Sequence, residues 1–232
     1  MTDSVFIRLA GPLQSWAKPA ITGNYVHTNE IPTASALRGL IAGGLGYQRN
    51  HWPEWIQAAG FEVRVDSDPT LVDDFHTIGS REDEYEFRRR LAIMQGLKAS
   101  SAKQLAFKPG VGATVIAKRT YLADAEFIVR ITCEGHTEEI DKAVSAPVFS
   151  TYLGRKAFPA HFPFYLGLSN ADMLKMIPAI SDTRNSKTEV PLHSLGMGPT
   201  ARPSRIPVPA VKNRDEWFAE LAALNLQRRA AA

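Results

Sequence analysis

Cysteine is nearly missing from this chain: Cys133 stands alone among 232 residues. A lone cysteine closes no internal disulfide, so the fold is expected to rest on packing in a reducing compartment, and the expected location is cytoplasmic. Long apolar runs are missing too. Glycine, proline or a charge interrupts every candidate before the roughly 20 residues of a bilayer span, and the first residues lack the basic-then-apolar pattern of a secretory signal, so no membrane partner is expected. Metal-ligand spacing is lacking as well. His27, His51, His76, His136, His161 and His193 occur singly, with no i, i+4 pair and no CxxC, which argues against a metal site. There is no GxSxG elbow, and Gly43-Gly44-Leu45-Gly46 and Pro109-Gly110-Val111-Gly112 match neither a P-loop nor a dinucleotide fingerprint. No cofactor and no catalytic residue is therefore expected.

Carboxylates are absent from three stretches: residues 4–29, 88–123 and 142–171. The formal net charge is only +3, but charge is segregated. Arg88, Arg89, Arg90, Lys98, Lys103, Lys108, Lys118 and Arg119 fall in the second stretch, while acids gather in 54–86 and 124–141. Such segregation yields either a positive surface for a polyanion or merely solvated loops.

The apolar 44% suffices for one sizeable core, read here as a single domain over 1–232. Residues 5–9 predict a strand ended by Gly11-Pro12. Thr33 caps a predicted helix with Leu37, Leu40, Ile41 and Leu45 on one face and Gly46 as its stop. Its internal Gly39, Gly43 and Gly44 predict close packing against a neighbouring backbone. Phe61, Val63 and Val65 alternate as a half-buried strand; 71–77 and 126–132 predict further strands, Cys133 is read as a buried mid-strand thiol, and 137–144 predicts a helix. Strand, helix, strands, helix, strand is the order of a ferredoxin-like α+β unit. Residues 79–119 make an insertion too long for an ordinary connection. After 181 the chain is rich in Pro, Thr, Ser and Arg until a helix over 215–224.

Three segments combine guanidinium or ammonium groups, glycine and flat rings, the mixture that grips single-stranded RNA. They are Gly11-Pro12-Leu13-Gln14-Ser15-Trp16 with Lys18, Lys118-Arg119-Thr120-Tyr121-Leu122, and Tyr152-Leu153-Gly154-Arg155-Lys156. Trp16, Tyr121 and Tyr152 serve either as core aromatics or as stacking surfaces. A metal-free ribonuclease is the alternative, with His27, His76 or His161 as base and Tyr121, Lys118 or Lys156 beside it.

The segments also carry a resemblance. Leu9-Ala10-Gly11-Pro12-Leu13-Gln14-Ser15-Trp16 and Pro32-Thr33-Ala34-Ser35-Ala36-Leu37-Arg38-Gly39-Leu40 are similar to the N-terminal signatures of the CasD family of CRISPR proteins. Asp74-Phe75-His76-Thr77, Arg119-Thr120-Tyr121-Leu122-Ala123-Asp124 and Tyr152-Leu153-Gly154-Arg155-Lys156 extend it toward subtype I-E, over roughly residues 5–167. The chain departs from the family at Ala17, where Gly is usual, and at Ala157-Phe158, where Ser-Cys is frequent.

The resemblance implies a ferredoxin-like palm of the RNA-recognition (RAMP) type, an inserted β-rich thumb over 79–118 and a C-terminal extension over 182–232 packed on the palm. It implies a non-catalytic subunit of the type I-E surveillance complex, Cascade, that binds the 5′ handle of the crRNA and caps the backbone in antiviral defence. Implied partners are the crRNA, the backbone subunit CasC, the large subunit CasA and, indirectly, target DNA. Guide processing would fall to a separate subunit, whereas in the related type I-C system the corresponding subunit cuts the precursor. The implied RNA contacts are Gln14, Ser15, Trp16, Lys18, Ser35, Arg38, Lys108, Lys118, Arg119, Tyr121, Tyr152, Arg155 and Lys156.

Overall fold

The computed structural model describes residues 3–16, 18, 25–78, 115–181, 186–196 and 202–230. They fall into two compact units, one built from 1–18, 28–72 and 121–232 and the other from 19–27 and 73–120.

The first unit is a mixed α and β structure around a seven-stranded sheet. Its strands, in chain order, are β1 (Ser4–Ala10), β4 (Gly60–Ser67), β7 (Glu126–Thr132), β8 (Tyr165–Ser169), β9 (Ala179–Ile180), β10 (Lys187–Leu195) and β11 (Ser204–Val211), with spatial order β8-β1-β7-β4-β10-β11-β9. β7 is central. It pairs antiparallel with β1 from Val5↔Ile131 to Ala10↔Glu126 and with β4 from Gly60↔Thr132 to Ser67↔Glu126. One sheet face presents Val5, Ile7, Leu9, Phe61, Val63, Phe127, Val129 and Ile131 to a core that includes α1 (Ala34–Gly44) and α3 (Thr137–Ser145), which follows the short α2 (Trp55–Ala58). The other face puts Phe6, Ile128 and Leu166 against α4 (Met173–Met176), Ile177 and Phe218 of α5 (Asp215–Ala230). Burial on both faces explains why β1 reads as nearly continuous apolar sequence.

The α1 signals act as expected. The Thr33 hydroxyl accepts from the Ala36 N–H at 3.3 Å, Leu37 and Ile41 are buried, and Gly46 turns the chain at φ +80°. A Cβ on Gly44 would stand 2.0 Å from the Ala143 carbonyl oxygen, so α1 and α3 approach as only glycine allows. Gly43 has nothing within 4 Å, and nothing in the structure explains it.

Two expectations are corrected. Cys133 follows β7 rather than lying within it, with its thiol donating to the Trp55 carbonyl. The stretch after 181 contains β10 and β11, which extend the sheet beyond β4 through Leu192↔Arg64 and Val190↔Ile206. Proline hid them: Pro207 and Pro209 alternate along β11, whose described neighbour at those positions is β10 alone, and an edge leaves their missing N–H without consequence.

Within the second unit, β3 (Tyr25–Val26) runs parallel to β6 (Val115–Ala123), pairing Tyr25↔Lys118 and Val26↔Arg119. β5 (Thr70–Ile78) pairs with β6 as well. The last residues of β6 belong to the first unit, where β2 (Leu13–Gln14) pairs Leu13↔Ala123 and Gln14↔Leu122. The inserted segment lies outside the described residues up to 114, and Lys108 with it.

Candidate nucleic-acid interface

Three of the segments singled out in the sequence meet in the first unit. β1 ends at Ala10, whose carbonyl accepts from the His161 N–H at 2.8 Å, and the Ser15 N–H donates to the Leu153 carbonyl at 3.0 Å. The 11–16 loop is thereby stitched to the 152–161 loop. A Cβ on Gly154 would stand 1.7 Å from the Ser15 carbonyl oxygen, and one on Gly11 would stand 2.8 Å from that of Pro159. The end of β6 joins through side chains. Arg155 Nη1 donates to the Tyr121 hydroxyl at 2.6 Å, with its guanidinium 5.2 Å from the ring centre, and Phe158 packs edge-on against the same ring at 4.9 Å. Phe158 and Leu153, neither of them anticipated, are the apolar floor under this junction.

The junction offers Lys156 as an exposed cation, Arg155 half-buried, and Tyr152 with 41% of its surface exposed; Lys18, two residues beyond the 11–16 loop, is exposed as well. Among the described residues no carboxylate pairs with Lys156, and an unpaired ammonium and an exposed ring are the groups that phosphate and base contact require. A carboxylate residue does adjoin it: the Asp124 N–H donates to the Pro12 carbonyl at 3.4 Å.

Other expected contacts are corrected. Gln14 is fully buried, its amide donating to the Leu9 and Ala125 carbonyls at 3.2 and 2.7 Å. Trp16, 2% exposed, donates its indole N–H to Gln14 Oε1. Both side chains hold the loop from inside, because a buried amide or indole must find its partners within the protein. Ser15 is likewise buried. Tyr121 is 5% exposed, and so positions Arg155 rather than presenting a ring. Arg38 is carried elsewhere. Its guanidinium donates to the Ala59 carbonyl at 3.3 Å, beside Gly60↔Thr132, whereas the junction follows Ala10↔Glu126 at the other end of β7, about 20 Å away at strand rise. Ser35 is exposed in the first turn of α1, its hydroxyl 3.2 Å from that of Thr33.

In the second unit Lys118 is already paired with Asp73 at 2.7 Å, and Thr120 donates to the same carboxylate at 2.8 Å. The hydrogen bond from Lys118, then that from Thr120, hold the Asp73 carboxyl below its ordinary value. Arg119 lies on the opposite face of β6 from Lys118 and has no ion pair among the described residues. Of the histidines weighed for catalysis, His76 pairs with Asp74 at 2.6 Å, His27 is 3.5 Å from the Thr120 hydroxyl, and His161 is exposed. Among the described residues no group of three or more His, Cys, Asp or Glu could hold a metal ion.

The largest feature the sequence concealed is a charged chain on the second sheet face. Arg8 pairs with Glu126, Glu126 with Arg214, Arg214 with Asp66, and Asp66 with Arg64 at 2.6 Å. Arg64 also donates to the Leu174 and Ile177 carbonyls at 2.5 and 2.7 Å. Burial pushes the Glu126 carboxyl up, but the hydrogen bonds and charges of Arg8 and Arg214 outweigh it and hold the group below its usual range. No helix among the described residues is long and apolar enough to cross a membrane.

A family model described as CRISPR-associated protein (Cas_Cas5) matches residues 4–196. The chain is similar to the CRISPR system Cascade subunit CasD of Escherichia coli (strain K12), at 32% identity over 188 residues that span 74% of this chain and 73% of that one. Among solved structures it is similar to a chain from a CRISPR RNA-guided surveillance complex, with TM-score 0.72, 24% identity, and 95% and 98% of the two chains covered. It is also similar to one described as a Cas protein, with TM-score 0.55, 22% identity, and 90% and 100% covered. At these identities the structural likeness speaks to the fold.

Proposed function

This chain belongs to the Cas_Cas5 family of CRISPR-associated proteins, and from that membership we propose that it is a non-catalytic RNA-binding subunit of a type I-E Cascade complex. In this reading it holds the 5′ handle of the crRNA, caps the backbone beside CasC, neighbours CasA, and reaches target DNA only through the guide, in the cytoplasm. The strand order β8-β1-β7-β4 with α1 and α3 on one face supports reading the first unit as a ferredoxin-like palm. The segment from 79 to 118 is then the thumb, and 182–232 an extension of the palm.

The observation that carries the reading is the junction of the 11–16 loop, the end of β6 and the 152–161 loop, where Tyr152, Arg155 and Lys156 flank a backbone held by Gly154. Mobile cations beside a close backbone turn suit a chain of phosphates, and the half-exposed ring suits an unstacked base. In the second unit, Arg119 is proposed as a further contact on its own.

The test is binding of a single-stranded RNA carrying the repeat-derived handle. Lys156→Ala and Arg119→Ala should each weaken it by about 1–3 kcal/mol, as charge-assisted contacts do, and lower the salt dependence by about one phosphate each. Unchanged affinity in both variants rejects the surface. The ribonuclease alternative is tested by incubating the chain with labelled repeat RNA in EDTA. The RNA should stay intact, and site-specific cleavage abolished by one histidine substitution would reverse the assignment.

A further inference from the structure

Two exposed aromatic rings flank one lysine on the second unit, and the contact set above uses neither. Tyr25 on β3 is the register partner of Lys118 on β6, so both point to one face. Phe75 on β5 lies on the other side, with the Lys118 ammonium 5.4 Å from its ring centre. A strand has two edges. β3 takes one edge of β6 at Lys118 and β5 the other, so the three side chains form a row across the sheet, Tyr25, Lys118, Phe75. Tyr25 is 45% and Phe75 63% exposed. Among the described residues nothing covers these rings fully.

Beside that row runs a second one, of polar groups. His27, two residues beyond Tyr25, has Nδ1 3.5 Å from the Thr120 hydroxyl, and Thr120 donates to Asp73, which also holds Lys118. The carboxylate neutralises the one cation between the rings. A phosphate approaching Lys118 would meet Asp73 at the same ammonium, so the face is a poor anion site despite its lysine. A neutral, flat ligand with hydrogen-bonding edges fits both rows: its plane on a ring, its edge toward the hydroxyl, imidazole and carboxylate.

We infer that this face is a base-stacking platform on which Tyr25 and Phe75 each receive one unpaired nucleobase of a bound single-stranded RNA. The rings stand about two strand spacings apart, roughly 10 Å. One base cannot bridge that distance, so two separate, splayed bases are held. The Lys118 ammonium lies over one side of the Phe75 ring as a cation–π contact. The inference rests on the RNA-binding reading and deepens it, assigning this face to bases and the junction of the first unit to phosphates.

The experiment compares two probes on the full chain: a single-stranded RNA of about twelve nucleotides, within the site sizes of such proteins, and an abasic ribose-phosphate strand of equal length. The double variant Tyr25→Ala/Phe75→Ala should lower affinity for the base-bearing RNA about tenfold or more, the scale of stacking losses, and leave the abasic strand unaffected. Tyr25→Trp/Phe75→Trp should restore binding, which separates stacking from any loss of folding. Unchanged affinity of the alanine variant for the base-bearing RNA, or an equal fall for both probes, overturns the platform while the RNA-binding reading stands. Failure of the wild-type chain to retain either strand overturns that reading itself.

Discussion

Gly154 and Ser15 touch so closely that a Cβ on the glycine would stand 1.7 Å from the serine carbonyl oxygen, and Gly154 holds φ at +84°. Both facts demand glycine, and they coincide where two loops 139 residues apart in sequence are joined by the Ser15 to Leu153 hydrogen bond. Gly154→Ala should therefore cost about 1–3 kcal/mol in urea unfolding, from left-handed strain and overlap together, and should weaken RNA binding by displacing Arg155 and Lys156. Gly135→Ala is the control: its φ is +75° but nothing lies within 4 Å of a Cβ there. Strain alone should register, with RNA affinity untouched. Equal RNA affinity in the two variants would show that the junction does not shape the binding surface.

Asp66 is the hinge of the charged chain on the second sheet face, its side chain 1% exposed between Arg64 and Arg214. Removing one member of a buried ionic group leaves its partners desolvated and unpaired, a loss of about 3–5 kcal/mol. Asp66→Ala should lower the unfolding free energy by that much, read in urea as a lower midpoint at an unchanged slope. A loss below about 1 kcal/mol, the scale of an exposed pair, would mean water reaches the arginines.

Glu126 makes stability depend on pH in a stated direction. Its folded-state pKa is depressed, so its contribution is fully present above the ordinary carboxylate value and is lost as pH falls through the folded value. The wild-type unfolding temperature should fall below about pH 4.5. Glu126→Gln should be less stable at neutral pH, and the gap between the two proteins should close in acid. A gap independent of pH would assign the residue's role to shape rather than charge.

The legibility of this fold varied with the range of the interactions that made it. α1 could be read from Thr33, Leu37, Ile41 and Gly46 because cap, face and stop are all local, and the Gly44 approach to Ala143 fulfils the packing that its glycines implied. β10 and β11 were concealed, since their prolines argue against strands unless an edge position is already known. Arg64 occupied the polar place in an alternating strand, and alternation alone sends such a residue to solvent. The C-terminal chain instead covers that face, and Arg64 is wholly buried. Gln14 and Trp16, in a loop beside glycine and proline, resembled surface groups for the same reason: the loop turns back, its amide closes on the Leu9 and Ala125 carbonyls, and its indole donates to that amide's oxygen.

By itself the sequence determined the family, the order of the early strands and helices, and which segments are poor in carboxylate, because each of these is written in neighbouring residues. Only tertiary structure decided which cations act together. It brought Arg155 to Tyr121 at one junction, carried Arg38 to the far end of the sheet, and matched Lys118 with Asp73, 45 positions away. Charge is a property of a residue, but availability depends on what the folded chain sets within a few ångströms of it, and that distance has no counterpart along the sequence.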